Sequence, residues 1–190
     1  MKEKTIEKII NDHRKVSEDL LGLCPEILDI TKAIIGSLKN KGKIILFGNG
    51  GSAGDAQHIA AELSGKFYNQ ERPGLAAVSL TTNTSAITAI GNDFGYNEIF
   101  SRQLDGFATH DDVVIGITTS GKSVNVVNGI TKANNLECTT ITLTGISAGP
   151  LDDISDYVIK IPSDDTPRIQ EHHILLGHII CELVEKEMFG

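Results

Sequence analysis

His58 and Glu62 stand four residues apart in Gly54-Asp55-Ala56-Gln57-His58-Ile59-Ala60-Ala61-Glu62. On a helix this spacing places an imidazole and a carboxylate on one face. Such a pair can move a proton as base and partner, or hold a divalent metal. Taken alone, it also describes a solvated ion pair. Two features favour chemistry. The segment is rich in alanine and apolar residues, which predicts that the pair does not face bulk water. It also follows Gly48-Asn49-Gly50-Gly51-Ser52 directly. Glycines in that turn allow positive φ and close backbone approach. Free N–H groups of the first helical turn, at the positive end of the helix dipole, suit an anion and above all a phosphate. Ser52 occupies the expected N-cap position, and its hydroxyl can also face a ligand.

A second hydroxyl-rich turn, Thr118-Thr119-Ser120-Gly121-Lys122-Ser123, precedes another helix. With Gly116 and Ile117 it matches the Walker A pattern to the letter. However, Ile117, Thr118 and Thr119 are β-branched, adopt positive φ poorly and continue the strand Val113-Val114-Ile115. No apolar strand ending in a magnesium-binding aspartate follows, so an anion cradle is expected rather than a nucleotide loop. Gly48-x-Gly50-x-x-Ala53 imitates a dinucleotide fingerprint. The next strand ends Leu80-Thr81-Thr82-Asn83, without the carboxylate that would hold a ribose, so no nucleotide cofactor is expected. Near the C-terminus, Gln170 and His178 lie on one slowly drifting helical stripe. His178 sits in an apolar stretch, where a satisfied core histidine is the plain alternative. His172 and His173 are expected to cover the surface or a subunit contact.

These groups need elements to position them. Residues 3–22 carry apolar positions at helical period, and a second helix is expected over 25–39 with Pro25 in its first turn. Apolar strands are expected at 44–47, 75–80, 112–118, 138–144 and 157–161. Helices are expected between them: a short one capped by Thr81-Thr82-Asn83 and ending near Gly91, one over 97–107, one after Ser123, and a long buried one over 166–188. Residues 91–95 are expected as a loop. Alternating strands and helices imply an α/β fold with a doubly wound, five-stranded parallel sheet and two added N-terminal helices. Ligands in such sheets bind beyond the carboxyl ends of the strands, where 48–52, 92–93 and 118–123 all fall. One domain is expected over 1–190, with the added helices in 1–42 and the core in 43–190.

The 190 residues carry a net charge of −8, which argues against a nucleic-acid partner or an anionic membrane surface. No apolar run approaches the ~18 residues of a membrane span. The charged N-terminal stretch lacks a secretory h-region, and three scattered cysteines, Cys24, Cys138 and Cys181, fit a reducing compartment. A cytoplasmic location is therefore expected.

Gly48–Leu63 (GNGGSAGDAQHIAAEL), Ala89–Phe100 (AIGNDFGYNEIF), the TTSGKS turn and Pro167–Glu185 (PRIQEHHILLGHIICELVE) together resemble the sugar isomerase (SIS) fold, and more closely the phosphoheptose isomerases. The similarity spans nearly the whole chain, and its motifs are specific as a set. It implies a flavodoxin-like sheet and conversion of sedoheptulose 7-phosphate to D-glycero-D-manno-heptose 7-phosphate. That step leads toward activated heptose for lipopolysaccharide, capsule or other surface glycans. It also implies a cytoplasmic homotetramer and, in many members, zinc. By position the zinc would be held by His58, Glu62, Gln170 and His178, with Glu62 and His178 as the acid–base pair. Substrate contacts would come from Asn49, Gly50, Gly51, Ser52, Glu62, Asn92, Asp93, Thr118, Thr119, Ser120, Ser123 and Gln170. Lys122 and Lys66 depart from the residues common in relatives, Asn and Arg respectively. The competing expectation is a non-catalytic SIS module that binds a partner protein. Relatives of that kind lack the acid–base residues, whereas Glu62 and His178 are present here.

Overall fold

Five runs rich in β-branched and apolar residues become strands, three buried in the centre and two half-buried at the edges: β1 (Ile44–Gly48), β2 (Ala77–Ser79), β3 (Val113–Ile117), β4 (Thr139–Thr144) and β5 (Tyr157–Lys160). The computed structural model describes residues 2–190, and among them all five strands pair in parallel in the order β2-β1-β3-β4-β5. That is the flavodoxin-like order expected from the resemblance. Around the sheet lie α1 (Glu3–Asp19), α2 (Cys24–Lys39), α3 (Gly51–Ser64), α4 (Thr84–Asp93), α5 (Ser101–Asp105), α6 (Val124–Asn135), α7 (Leu151–Ile154) and α8 (Thr166–Phe189).

Side chains alternate across each strand, so each face recruits its own helices. Ile44, Leu46, Ile115 and Ile141 pack with Ile30 and Ile34 of α2, Ile59 and Leu63 of α3, and Leu176 and Ile180 of α8. Ile45, Phe47 and Val114 face the other way, onto Leu104 of α5 and Val126 and Ile130 of α6, where Phe47 and Phe100 stack at 4.7 Å. The added N-terminal helices join the first of these cores through Val16, Leu20, Ile27 and Ile30.

Three expectations need correction. The helix expected over 97–107 is a 3₁₀ turn (Tyr96–Glu98) followed by the short α5. Glu98 explains the break: its carboxylate accepts from the Ser101 hydroxyl at 2.6 Å and from the Asn128 side chain at 3.0 Å, tying this segment to α6. Asn92 and Asp93 lie in the last turn of α4, not in a loop, because the chain turns only at Gly95 with φ 91°. His172 and His173 are both fully buried, the reverse of the surface role expected for them. α1 covers His172, whose Nε2 meets the Ser17 hydroxyl at 2.9 Å, whereas His173 turns to the sheet, its Nε2 3.2 Å from the Thr144 carbonyl.

Candidate active site

The first strand leaves the sheet in one direction and the third in the other, so a crevice opens between their carboxyl ends. Gly48 pairs with Ile117 as the last register position of β1 and β3. The turns that follow these two residues are therefore neighbours, although they lie about 70 residues apart in sequence. Asn49 and Asn125 join them through a reciprocal amide pair: Asn49 Nδ2 donates to Asn125 Oδ1 at 2.8 Å, and Asn125 Nδ2 donates to Asn49 Oδ1 at 2.9 Å. The Tyr96 hydroxyl adds a third bond, to Asn49 Oδ1 at 3.0 Å. Sequence reasoning missed Asn125 and Tyr96. The adjacency of β1 and β3 was the signal for Asn125; nothing local marked Tyr96.

In the first turn, Gly50 is the N-cap of α3 with φ 57°, a conformation in which a β-carbon would be strained. Ser52 lies one residue into the helix and is buried, so the N-cap expected of it falls to Gly50. In the second turn, Gly116 and Ile117 are the end of β3, and Thr118 is buried, its backbone N–H bound to the Leu143 carbonyl at 3.0 Å. The Walker-like letters are thus a strand end and a short turn. Thr118 Oγ1 and Ser123 Oγ lie 3.3 Å apart, and Ser123 is the N-cap of α6. Thr119 is half-buried, whereas Ser120 and Lys122 are exposed. The crevice is thereby lined with hydroxyls and helix N-termini, the ordinary equipment for a phosphate.

Beside it, α3 and α8 bring three side chains together. His58 Nε2 lies 3.0 Å from His178 Nε2 and 3.2 Å from Glu62 Oε1. The donor atoms of the three residues all fall within 4.8 Å of one another. Two glycines allow this approach. A β-carbon on Gly177 would lie 2.5 Å from Ile59 Cγ1, so α8 can meet α3 here only without one. A β-carbon on Gly51 would collide with the Gln170 side chain, whose amide rests directly on the β1–α3 turn. Gln170 thus joins the phosphate-type turn to the helix that carries His178. The apolar neighbours of His58 predicted shelter for the pair, but within one chain the His58 side chain is 48% exposed and that of Glu62 27%. Helix α3 shows this edge to the crevice instead of to the core.

Asn92 and Asp93 are exposed and bonded to each other at 2.8 Å, and from their part of the chain it is Tyr96 that reaches the turn. A buried thiol and a half-buried carboxylate flank the cluster. Burial pushes the Cys181 thiol up to about 12, and the Glu62 carboxylate pushes in the same direction, so this thiol stays protonated. Burial also raises Asp55, one turn before His58, to about 6, against the pull of His58. Behind the cluster, Arg72 and Glu185 form a buried pair at 2.6 Å, and Arg72 Nη2 also donates to the Glu62 carbonyl at 2.7 Å. Neither partner was singled out from sequence, because they lie 113 residues apart.

The SIS domain family model matches residues 14–145. The chain is 48% identical to the phosphoheptose isomerase of Geotalea daltonii over 97% of this chain and 96% of that protein. It is likewise 48% identical to that of Helicobacter pylori over 98% and 97%. Among solved structures, the phosphoheptose isomerase of Neisseria gonorrhoeae superposes with a TM-score of 0.91 at 37% identity, covering 96% of this chain and 98% of that one. The Francisella tularensis phosphoheptose isomerase gives 0.93 at 34% identity, covering 96% and 97%. With its sheet order, its crevice and these relatives, the chain belongs to the phosphoheptose isomerase family of SIS-domain isomerases.

Proposed function

We propose that the chain converts sedoheptulose 7-phosphate to D-glycero-D-manno-heptose 7-phosphate, using Glu62 and His178 as the acid–base pair. The observation that carries this is the convergence of His58, Glu62 and His178 beside a phosphate-type crevice at the switch point of the sheet. The reaction moves one proton between adjacent carbons and needs no redox partner. Glu62 takes the proton from C1 of the ketose, which leaves an enediol, and returns a proton to C2. His178 serves the two oxygens, removing the proton from O1 and supplying one to O2. The phosphate, held by Ser52, Thr119, Ser120 and Ser123 with backbone groups of Gly50 and Gly51, is remote from the reacting carbons. Its binding energy orients them. Asn49 and Gln170, with Asn92, Asp93 and Thr118, complete the substrate contacts.

Zinc fits this cluster. Two imidazole Nε2 atoms facing each other at 3.0 Å, with a carboxylate oxygen beside them, form a donor set suited to a borderline-soft cation. His58, Glu62, Gln170 and His178 would hold it. A cation bound there would polarise the sugar carbonyl.

The whole chain acts as one SIS domain, since the N-terminal helices share its core. It assembles as a homotetramer, supported by exposed Ile6, Ile10 and Leu21 on and beside α1 and by a ≈ 440 Å³ apolar groove between Leu20, Leu28, Leu175 and Leu183. It works in the cytoplasm, toward activated heptose for surface glycans. No described helix is long and apolar enough to cross a membrane.

A turnover assay on sedoheptulose 7-phosphate, with chelator-treated protein and with zinc restored, tests the proposal. Aldose product that rises with zinc is expected. Equal product without zinc would keep the acid–base pair and remove the metal from the account. No product from folded protein under either condition would overturn the activity and favour a non-catalytic SIS module.

A further inference from the structure

A second group of metal-type donors lies on the same long helix, one residue beyond Gln170, and does not belong to the crevice. His13 and Ser17 stand four apart on α1, and Arg168, Glu171 and His172 stand at i, i+3 and i+4 on α8. The two faces meet. His13 Nδ1 lies 2.7 Å from Glu171 Oε2, and the rings of His13 and His172 are 4.6 Å apart. One donor atom from each of His13, Glu171 and His172 falls within 4.8 Å of the others.

The surroundings orient these donors inward. His172 Nδ1 meets the Arg168 carbonyl at 2.6 Å, a contact that requires the proton on Nδ1 and makes the Nε2 lone pair an acceptor, which the Ser17 hydroxyl can fill until a cation displaces it. His172 is fully buried, so that lone pair has no water to turn to; its neighbour is the Ser17 hydroxyl at 2.9 Å. The Arg168 guanidinium holds Glu171 Oε1 at 2.5 Å, which fixes the carboxylate, while Oε2 accepts from His13 Nδ1–H, the proton that a bound cation would displace. Arg168 also anchors to the Ile9 carbonyl of α1 at 2.9 Å. Ligating imidazoles and carboxylates are typically held by such outer contacts.

We propose that His13, Glu171 and His172 form a second divalent-metal site, suited to zinc or a cation of similar softness, which pins α1 to α8. Two neutral imidazoles and one carboxylate select such a cation over magnesium or calcium, which prefer oxygen alone. Ser17 Oγ or a water supplies the fourth position. Arg168 already balances the Glu171 charge, so the two imidazoles carry most of the affinity. The site fixes the first turns of α8 next to Gln170. It does not depend on the isomerase proposal.

The test counts zinc bound to the full-length, chelator-treated chain by equilibrium dialysis and elemental analysis. The background is His58→Ala, which removes a ligand from the crevice cluster. One zinc per chain is expected in His58→Ala and none in His58→Ala/His13→Ala. His13 is half-exposed, so the second substitution leaves no hole in the core, and circular dichroism verifies the fold. Glu171→Gln in the same background should weaken binding at least tenfold. Zinc should also raise the melting temperature of His58→Ala but not of the double variant. Equal zinc counts in the single and double variants would overturn the proposal, as would no zinc in His58→Ala while wild type binds it.

Discussion

Glu62 and Glu185 both lie at the seam between α3 and α8, and they are treated in opposite ways. The Glu185 carboxylate is buried and saturated. It accepts from Arg72 Nε at 2.6 Å and from the backbone N–H groups of Phe67, Tyr68 and Asn69 at 3.1, 2.8 and 2.7 Å. The Glu62 carboxylate meets His58 at 3.2 Å and otherwise faces the crevice. A carboxylate with every lone pair engaged cannot take up a proton or a ligand cheaply; one left open can. The two are also connected. Arg72, held by Glu185, donates to the Glu62 carbonyl, so the saturated pair fixes the backbone of the residue whose side chain stays free. The clamp further holds the segment whose Phe67 ring lies 5.7 Å from His178.

The contrast can be broken first at the clamp. Glu185→Ala leaves Arg72 buried without its partner and should cost about 3–5 kcal/mol of stability, measured by denaturant unfolding. A cost below about 1 kcal/mol would mean the pair is ordinary surface electrostatics. Next comes the seam itself. Gly177→Ala must push Ile59 away, at about 1–3 kcal/mol for an overpacked contact. Its effect on turnover should exceed its effect on melting, because His178 shifts against His58 and misplacement near 1 Å can cost about 10²-fold.

Acid sharpens the same contrast. Burial alone would raise Glu185, but Arg72 and the three backbone donors outweigh it and hold the carboxyl at about 2. Its folded value lies below the ordinary 4.5, so its stabilisation is complete above 4.5 and is lost as pH falls toward 2. Glu185→Gln should flatten the stability curve across that window. Asp55 has the opposite sign. One of its oxygens is buried without a partner, and burial raises it to about 6, opposed by His58. The folded state therefore resists its ionisation. Asp55→Asn should stabilise the protein at pH 8 and leave it unchanged at pH 3, by about 1 kcal/mol once solvent screening is allowed for.

Much of this was legible in the chain. Ile44-Ile45-Leu46-Phe47 and Val113-Val114-Ile115, short, β-branched and bounded by turn residues, read as strands buried on both faces, and the glycines after β1 marked the crevice. The spacing of His58 and Glu62 placed them together on α3, and the resemblance supplied their meeting with His178. What stayed hidden depended on tertiary contacts. Burial of His172 requires knowing that α1 covers α8, and burial of His173 that the adjacent face of α8 meets β4, neither of which local period tells. The extension of α4 past Gly91 was obscured because glycine reads as a breaker, whereas here the helix carries it to Asp93 and the chain turns at Gly95. The Arg72–Glu185 clamp joins a polar loop outside every motif to the last residue of the Pro167–Glu185 stretch, and nothing local pairs the two.

Glu62→Gln tests the account most directly, with turnover of sedoheptulose 7-phosphate and the melting temperature measured on the same preparation. The amide keeps the shape of the side chain but cannot carry the proton. The account predicts a loss of turnover of about 10²–10⁴-fold with melting within a degree or two of wild type. Full turnover from an equally stable variant would contradict it and move the proton-carrying role away from Glu62.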